Sequence, residues 1–243
     1  MKISVCMATY NGEQFLFEQL DSILSQLRTN DELVIVDDAS HDRTCAIVKG
    51  FLDPRILLIC NSANRGVLAS FETALRHSTG EIIFLSDQDD VWHPEKVSRF
   101  LHVFESRPDV TLAISDARIV DADGRVMSQS RLNGKNFSPR VLSNIIKNGY
   151  LGCALAFRRE ILHYCLPFPR SIPMHDMWIG ILNQMYGESA FLREPLLSHR
   201  RHGGNASPDN HASYSQMFRW RMSLVFNLVL RRLTVSRKSG MSP

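Results

Sequence analysis

The sequence predicts an α/β protein whose central sheet is mostly parallel and flanked by helices. Three observations carry this expectation. Short apolar runs without polar alternation recur through the first hundred residues, as strands buried on both faces require. Segments with helical periodicity separate them, the order of a parallel sheet wound with helices. Three of the runs also end in polar clusters, Thr9-Tyr10-Asn11, Asp37-Asp38 and Asp87 to Asp90. Open sheets of this kind bind ligands outside the carboxyl ends of their strands.

The elements follow in order. Residues 3–8 form a first buried strand, and a helix covers about 13–27, with Phe15, Leu16, Leu20, Ile23, Leu24 and Leu27 at helical spacing. A second strand covers 32–36, a helix 43–51 and a third strand 56–59. Asn64-Arg65-Gly66 is a turn, followed by a helix over 68–76 and a fourth strand over 82–85. The acidic segment after that strand reads as a loop opening a helix, since Pro94 suits a first helical turn. Asp121-Ala122-Asp123-Gly124 is a hairpin turn. A helix begins near Met177, and the last spans 214–233.

A chain of 243 residues, 44% hydrophobic and 22% charged, can bury a sizeable core. Its net charge of +3 is too small to argue for a nucleic-acid partner. No acidic residue follows Asp209, while Arg219, Arg221, Arg231, Arg232, Arg237 and Lys238 do; the overall +3 thus divides into +6 for the tail and −3 for the rest. Five widely spaced cysteines show neither a CxxC pair nor a Cys/His metal spacing, so reduced thiols in a cytoplasmic protein are expected. The chain starts directly in a strand-like run, without a secretory signal pattern, and no apolar stretch approaches the length of a membrane span.

The most informative segment is Ser86-Asp87-Gln88-Asp89-Asp90-Val91-Trp92, with three carboxylates within four residues of a strand end. Such a cluster suits a hard divalent cation with oxygen ligands. The competing reading is a helix cap with surplus surface acid. No G-x-G-x-x-G follows the first strand and no G-x-x-x-x-G-K-[ST] occurs, so phosphate handling falls to a cation held by Asp87 and Asp89.

In order and spacing, Ala8-Thr9-Tyr10-Asn11 with Glu13, Val36-Asp37-Asp38-Ala39-Ser40, Asn64-Arg65-Gly66 and Asp87-Gln88-Asp89-Asp90-Val91-Trp92 resemble a family 2 glycosyltransferase of the GT-A fold, a Rossmann-like architecture. The second half matches through Gly149 to Arg159, His175-Asp176-Met177-Trp178 and His199 to Asn205. The acidic motif and the late Arg-x-His-Gly-x-Asn element are most similar to bacterial rhamnosyltransferases. The resemblance implies inverting transfer from a nucleotide-sugar, with L-rhamnose from dTDP-rhamnose as the expected donor, in making a surface polysaccharide such as lipopolysaccharide, O-antigen or capsule. By the same resemblance, Thr9, Tyr10, Asn11 and Glu13 line the nucleotide pocket, Asp37 or Asp38 meets the base, and Asn64, Arg65 and Gly66 sit near the ribose and diphosphate. Asp87 faces nucleotide and sugar, Asp89 and His202 hold Mg²⁺ or Mn²⁺, and Asp176 is the catalytic carboxylate. Its usual preceding partner is acidic; here it is His175. The expected division is a nucleotide-sugar half over 1–115, an acceptor and catalytic half over 116–209, with 138–165 shaping the acceptor pocket, and a basic C-terminal helix over 210–243.

Two readings of that tail stand side by side. It packs on the domain, or its segment 214–238 lies on anionic lipid at the inner face of the cytoplasmic membrane, next to a glycan or lipid-linked acceptor. Two other functions remain. A nucleotidyltransferase requires a basic glycine-rich loop near the N-terminus, where Asn11-Gly12-Glu13 is acidic. A non-catalytic nucleotide-sugar-binding protein would not need Asp176 beside an intact metal motif.

Overall fold

The computed structural model describes residues 1–133, 137–138, 140–203 and 213–239. Four strands, β1 (Ile3–Thr9), β2 (Glu32–Asp37), β3 (Ile56–Cys60) and β4 (Ile82–Ser86), are the parallel half of the sheet. They alternate with α1 (Leu16–Leu24), α2 (Thr44–Gly50) and α3 (Val67–His77). Their apolar runs are buried as the missing alternation implies: Ile3, Val5, Cys6 and Met7 of β1 are fully enclosed, as are Ile82 to Leu85 of β4. Strand β3 is the partly exposed edge.

The second half is mixed. After β5 (Val91–Trp92) and α4 (Lys96–Ser106) come β6 (Val110–Val120), β7 (Val126–Ser128), α5 (Val141–Ile146), β8 (Leu155–Arg158), α6 (Leu162–Cys165), α7 (His175–Tyr186), β9 (Glu188–Arg200) and α8 (Tyr214–Ser239). Among the described residues the nine strands form one sheet, ordered β3-β2-β1-β4-β8-β6-β9-β5, with β7 beside β6. Strand β8 is antiparallel to both β4 and β6, and joins the two halves. One apolar core runs through both.

Three local features position the site. Strand β1 pairs Thr9 with Asp37 of β2 and Met7 with Ser86 of β4, so three polar strand ends emerge side by side. The acidic segment does not open a helix. Val91 and Trp92 instead pair with Ser198 and Leu197 of β9, and α4 begins only at Lys96. Burial of Trp92 at 3% exposure favours this short strand over helix initiation at the carboxylates. The thirteen residues of β9 then carry His199 and Arg200 up to the acidic loop.

Helix α8 is packed on the body through buried Leu224 and Leu228. Arg231 donates to the carbonyls of Leu166 and Pro167, and Arg221 to those of Ile145 and Ile146. Its opposite face leaves Phe218, Met222, Phe226, Val229 and Leu233 exposed. Among the described residues no helix is long and apolar enough to cross a membrane.

Candidate active site

A cavity of about 780 Å³ opens at the strand ends and is closed on its far side by α7 and the segment before β8. Thr9, Tyr10, Asp38, Asn64, Gly66, Asp87 and Asp89 line one wall, and Asp176 lines the other. Residues far apart in sequence thus meet in one place.

The cluster residues divide into those facing the cavity and those shaping it. Asp38 accepts hydrogen bonds from the Arg65 and Gly66 amides at 2.9 and 2.7 Å and from the Asn61 side chain at 2.8 Å. Burial raises its pKa, but these donors outweigh burial and hold it below the ordinary value. Gly66 has φ of +86°, a backbone state that favours glycine and lets both amides converge on one carboxylate. Asp37 does not line the cavity. Its oxygens accept from Thr9 Oγ1 at 3.0 Å, Ser40 Oγ at 2.6 Å and the Ser40 amide at 2.9 Å. Asn11, at φ +47°, accepts from the His41 amide, and Glu13 accepts from the Arg43 amide at the start of α2. Asn11, Glu13 and Arg65 also lie off the cavity wall, bracing the loops.

Gln88 spans the acidic loop and the first strand end. Its amide accepts from the Tyr10 N–H at 2.9 Å and donates to the Tyr10 carbonyl at 3.1 Å. A Cβ at Gly12 would lie 2.3 Å from Gln88 Oε1, so that glycine makes room for the clasp.

The three carboxylates of the loop differ. Asp87 lies half-buried on the cavity wall; burial first, then the Asp90 and Asp89 charges, push its pKa up to about 7. Asp89 Oδ2 lies 2.7 Å from His202 Nε2. Burial and Asp90 raise its pKa against the opposing pull of His202. Asp90 turns inward to His199 Nδ1 at 2.9 Å and accepts from the Arg200 amide at 3.0 Å. Burial opposes its ionisation, yet the bond to His199 prevails and holds its pKa low. Gly204 and Asn205, completing the late element, lie outside the described residues.

Two basic residues anchor this loop. Arg200 donates to the Asp89 carbonyl at 2.9 Å and to Glu18 at 2.7 Å. Lys96, fully buried, donates to the Cys153 carbonyl and stands 4.1 Å over the Trp92 ring; burial lowers its pKa to about 8.

Asp89 and His202 offer a carboxylate and an imidazole, donors that suit Mn²⁺ and, with oxygen ligands added, Mg²⁺. Among the described residues Asp90, Cys153 and His199 are a second group with ligand atoms within 4.8 Å of one another. No sequence spacing could show it, because 109 positions separate Asp90 from His199. Burial pushes the Cys153 thiol well above its ordinary value, which keeps it protonated beside the Asp90–His199 pair. The His199 ring forms part of the cavity wall.

Asp176 sits in the first turn of α7, not at its cap, and accepts from the Met177 amide at 2.6 Å. Burial raises its pKa to about 6, against the Met177 bond, the charge of Arg131 and a bond from Asn148. Arg131 is held by the Gly149 and Tyr150 carbonyls. Sequence reading missed Arg131, and it held Asn148, Tyr150 and Gly152 only within the 138–165 acceptor segment, because no motif gives any of them an individual role.

The family 2 glycosyl transferase model matches residues 4–166, two thirds of the chain, and includes every strand-end cluster described above. The chain belongs to glycosyl transferase family 2. This is an enzyme family, and the mixed sheet with flanking helices is its GT-A fold. A UDP-Glc:α-D-GlcNAc-diphosphoundecaprenol β-1,3-glucosyltransferase of Escherichia coli is 26% identical over 184 residues, 74% of this chain and 69% of its own length. The fold superposes on Staphylococcus aureus TarS in complex with UDP-GlcNAc with a TM-score of 0.74 at 22% identity, covering 93% of this chain and 67% of the other. A mannosyltransferase from Pyrobaculum calidifontis in complex with GDP-Man and Mn²⁺ gives 0.63 at 19% identity, covering 100% and 76%. The family 2 chain thus spans about two thirds to three quarters of these relatives.

Proposed function

We propose that this family 2 enzyme inverts a sugar as it moves it from a nucleotide-sugar to a glycan or lipid-linked acceptor for a bacterial surface polysaccharide. The observation that carries the reading is the single cavity in which Asp38, Asp87 and Asp89 face Asp176 from the opposite wall. Asp38 and the Asn64–Gly66 turn take the nucleoside. Asp89 and His202 hold Mg²⁺ or Mn²⁺, which when bound offsets the charge of the diphosphate. Asp176 accepts the proton of the acceptor hydroxyl as its oxygen bonds to the anomeric carbon and the bond to the diphosphate oxygen breaks on the opposite face. A carboxylate with a pKa near 6 is ionised at neutral pH and more basic than an ordinary one, as a general base requires. Arg201, on the cavity wall, adds positive charge on the diphosphate side.

The undecaprenol-linked acceptor named for the E. coli relative supports a lipid-linked acceptor here. The outward face of α8 supports work at the cytoplasmic side of the membrane: apolar Phe218, Met222, Phe226 and Leu233 would enter the interface, with Arg219 among them. Arg221 and Arg231 are spent on backbone carbonyls, so apolar insertion, more than a row of arginines, is the driving term. The side chains of Arg237 and Lys238 lie outside the described residues.

The donor sugar rests on the Asp-Gln-Asp-Asp-Val-Trp resemblance, which favours dTDP-β-L-rhamnose. A thermal-shift screen of nucleotide-sugars with Mn²⁺ tests both levels. Protection by any nucleotide-sugar over its free sugar supports the function. Stronger protection by UDP-hexoses than by dTDP-rhamnose overturns the rhamnosyl assignment alone.

A further inference from the structure

One cation on the cavity wall has no role yet in that reaction. Arg131 follows β7 in the chain, is half-buried and lines the cavity with Asp176. Its backbone is fixed where β6 shifts register: the Arg131 amide donates to the Ala117 carbonyl at 2.7 Å and to Asp116 Oδ1 at 3.1 Å. Asp116 also accepts from the Ala117 amide at 2.8 Å and from the Ser130 hydroxyl, so neutral donors occupy its oxygens. The guanidinium reaches the segment before β8, where Nη1 donates to the Gly149 carbonyl at 3.0 Å and Nη2 to the Tyr150 carbonyl at 3.3 Å. A planar fork on two consecutive carbonyls fixes both the segment and the orientation of the cation.

That segment is fastened on its other side to α7, the helix that carries Asp176. The Tyr150 hydroxyl donates to the Gly180 carbonyl at 2.9 Å, and the Gly149 amide donates to Asn144 of α5 at 3.0 Å. Asn148 Oδ1 accepts from the Tyr150 amide at 3.0 Å, which leaves the Asn148 amino group to face Asp176. Residues 148–150 are thus a strap between Arg131 and α7. The charges around Asp176 give the cation a second effect. Burial raises the Asp176 pKa, and the charge of Arg131 opposes it. Burial lowers the pKa of Arg131 in turn, with Asp176 and Asp116 opposing, and the guanidinium stays ionised. His175, Tyr150 and Asp87 bring no positive charge to the carboxylate. Burial lowers the His175 pKa to about 3 and raises that of the Tyr150 hydroxyl, and Asp87 couples to Asp176 as a like charge. His199 and Arg201 line the cavity on the diphosphate side.

We infer that Arg131 is a positioning residue for Asp176, an inference resting on the proposed role of Asp176 as base: it holds the 148–150 strap against α7 and keeps a positive charge beside the carboxylate. Asp176 is then ionised and aimed when the acceptor hydroxyl arrives. Arg131 takes no proton itself and acts through the strap and through space.

The test is a carboxyl titration by NMR on the full chain labelled in its aspartates, which needs no substrate. Asp176→Asn identifies the resonance by its disappearance. The unsubstituted protein should titrate there near pH 6. Arg131→Gln keeps a donor for the strap and removes the charge, so its midpoint should rise to about 7, the low end of what an opposite charge beside a carboxyl is worth. Arg131→Met, a second neutral variant, should raise it as well, and Arg131→Lys should leave it near 6. Donor hydrolysis with Mn²⁺ and dTDP-rhamnose, UDP-glucose or UDP-N-acetylglucosamine, water standing in for the acceptor, should follow the titration. Arg131→Gln should lose about fivefold at pH 6 and less than about twofold at pH 8, with dTDP and UDP affinities unchanged. An unchanged midpoint in both neutral variants, or an activity loss of the same factor at every pH, overturns the inference and makes Arg131 a packing residue. A raised midpoint in a protein that binds none of the three nucleotide-sugars keeps the link between Arg131 and Asp176 and removes the transferase reading.

Discussion

Replacing Asp176 by Asn separates chemistry from architecture. The amide keeps the shape of the carboxylate and can still accept the 2.6 Å bond from the Met177 amide, but it cannot take a proton. Burial raises the carboxyl from 3.8 to about 6. The folded state therefore holds a proton that the unfolded chain releases between those values. With rising pH this group's contribution to stability falls through that window and is fully lost above about pH 6. A rise of that size corresponds to about 3 kcal/mol as a ceiling, since each tenfold change in an acidity constant is worth about 1.4 kcal/mol. Asparagine carries no such deficit. Asp176→Asn should therefore melt higher than the unsubstituted protein at pH 8, by up to about 6–12 °C for a domain of this size, and equally at pH 4. In a transfer assay with the donor that binds, it should lose about 10²-fold or more in kcat. Its nucleoside diphosphate affinity should hold. The unsubstituted enzyme's kcat/KM should rise with pH to a plateau, with a midpoint near 6. A variant that melts lower at pH 8 and loses nucleotide binding would make Asp176 a packing group. Activity within tenfold of normal would place the base elsewhere.

Asp89→Ala should abolish transfer and weaken nucleotide-sugar binding, and excess chelator should reproduce this in the unsubstituted protein; full activity with chelator present would refute the metal-dependent reading. Truncation at Asp209 is a poor test of α8, because it would also remove the buried Leu224 and Leu228. Phe218→Ser combined with Phe226→Ser should instead reduce co-sedimentation with anionic vesicles at unchanged melting temperature, while unchanged binding would remove α8 from any membrane role. Gly180→Ala would set a Cβ 2.3 Å from the Tyr150 ring, whose hydroxyl donates to the Gly180 carbonyl at 2.9 Å. Overpacking of this kind costs roughly 1–3 kcal/mol, so the melting temperature should fall by several degrees, and an unchanged value would show that the ring moves freely.

The first half of the fold was legible because each of its strands is short, apolar and locally continuous, and all but the edge strand β3 are buried. The expected strand at 82–85 becomes Ile82–Ser86, and the expected helix at 68–76 becomes Val67–His77. The second half resisted for two reasons. Strand β6 meets β9 with several register shifts, one of them where Asp116 faces Pro195, and such pairings leave no regular period in either segment. Its site residues are also brought in by long-range pairing: β8 lies between β4 and β6, which delivers Tyr150 and Gly152 to a cavity whose other wall lies far earlier in the chain, at Thr9, Asp38 and Asp87. Motifs named Asp37 and Asp38 together, yet only geometry separates them, one bracing Ser40 and Thr9, the other turned to the cavity.

The same division of labour runs through the acidic loop and explains why three carboxylates can be packed so closely. Three like charges in one buried loop repel, and each raises the pKa of its neighbours unless something opposes it. Asp90 is answered from within the fold, by His199 and the Arg200 amide, and is the one whose pKa is held low. Asp89 is answered in part, through its short contact with His202, and Asp87 through space by His199. Asp87 and Asp89, the two whose pKa values burial and the neighbouring carboxylates raise, are the two on the cavity wall. The buried cations nearby direct donors to other oxygens: Arg200 donates to the Asp89 carbonyl and to Glu18, and Lys96 to the Cys153 carbonyl. The loop is thus held from within, by His199, the Arg200 amide and the Arg200 guanidinium on the Asp89 carbonyl, while Asp87 and Asp89 line the cavity. That pattern favours a binding site over a surplus of surface acid.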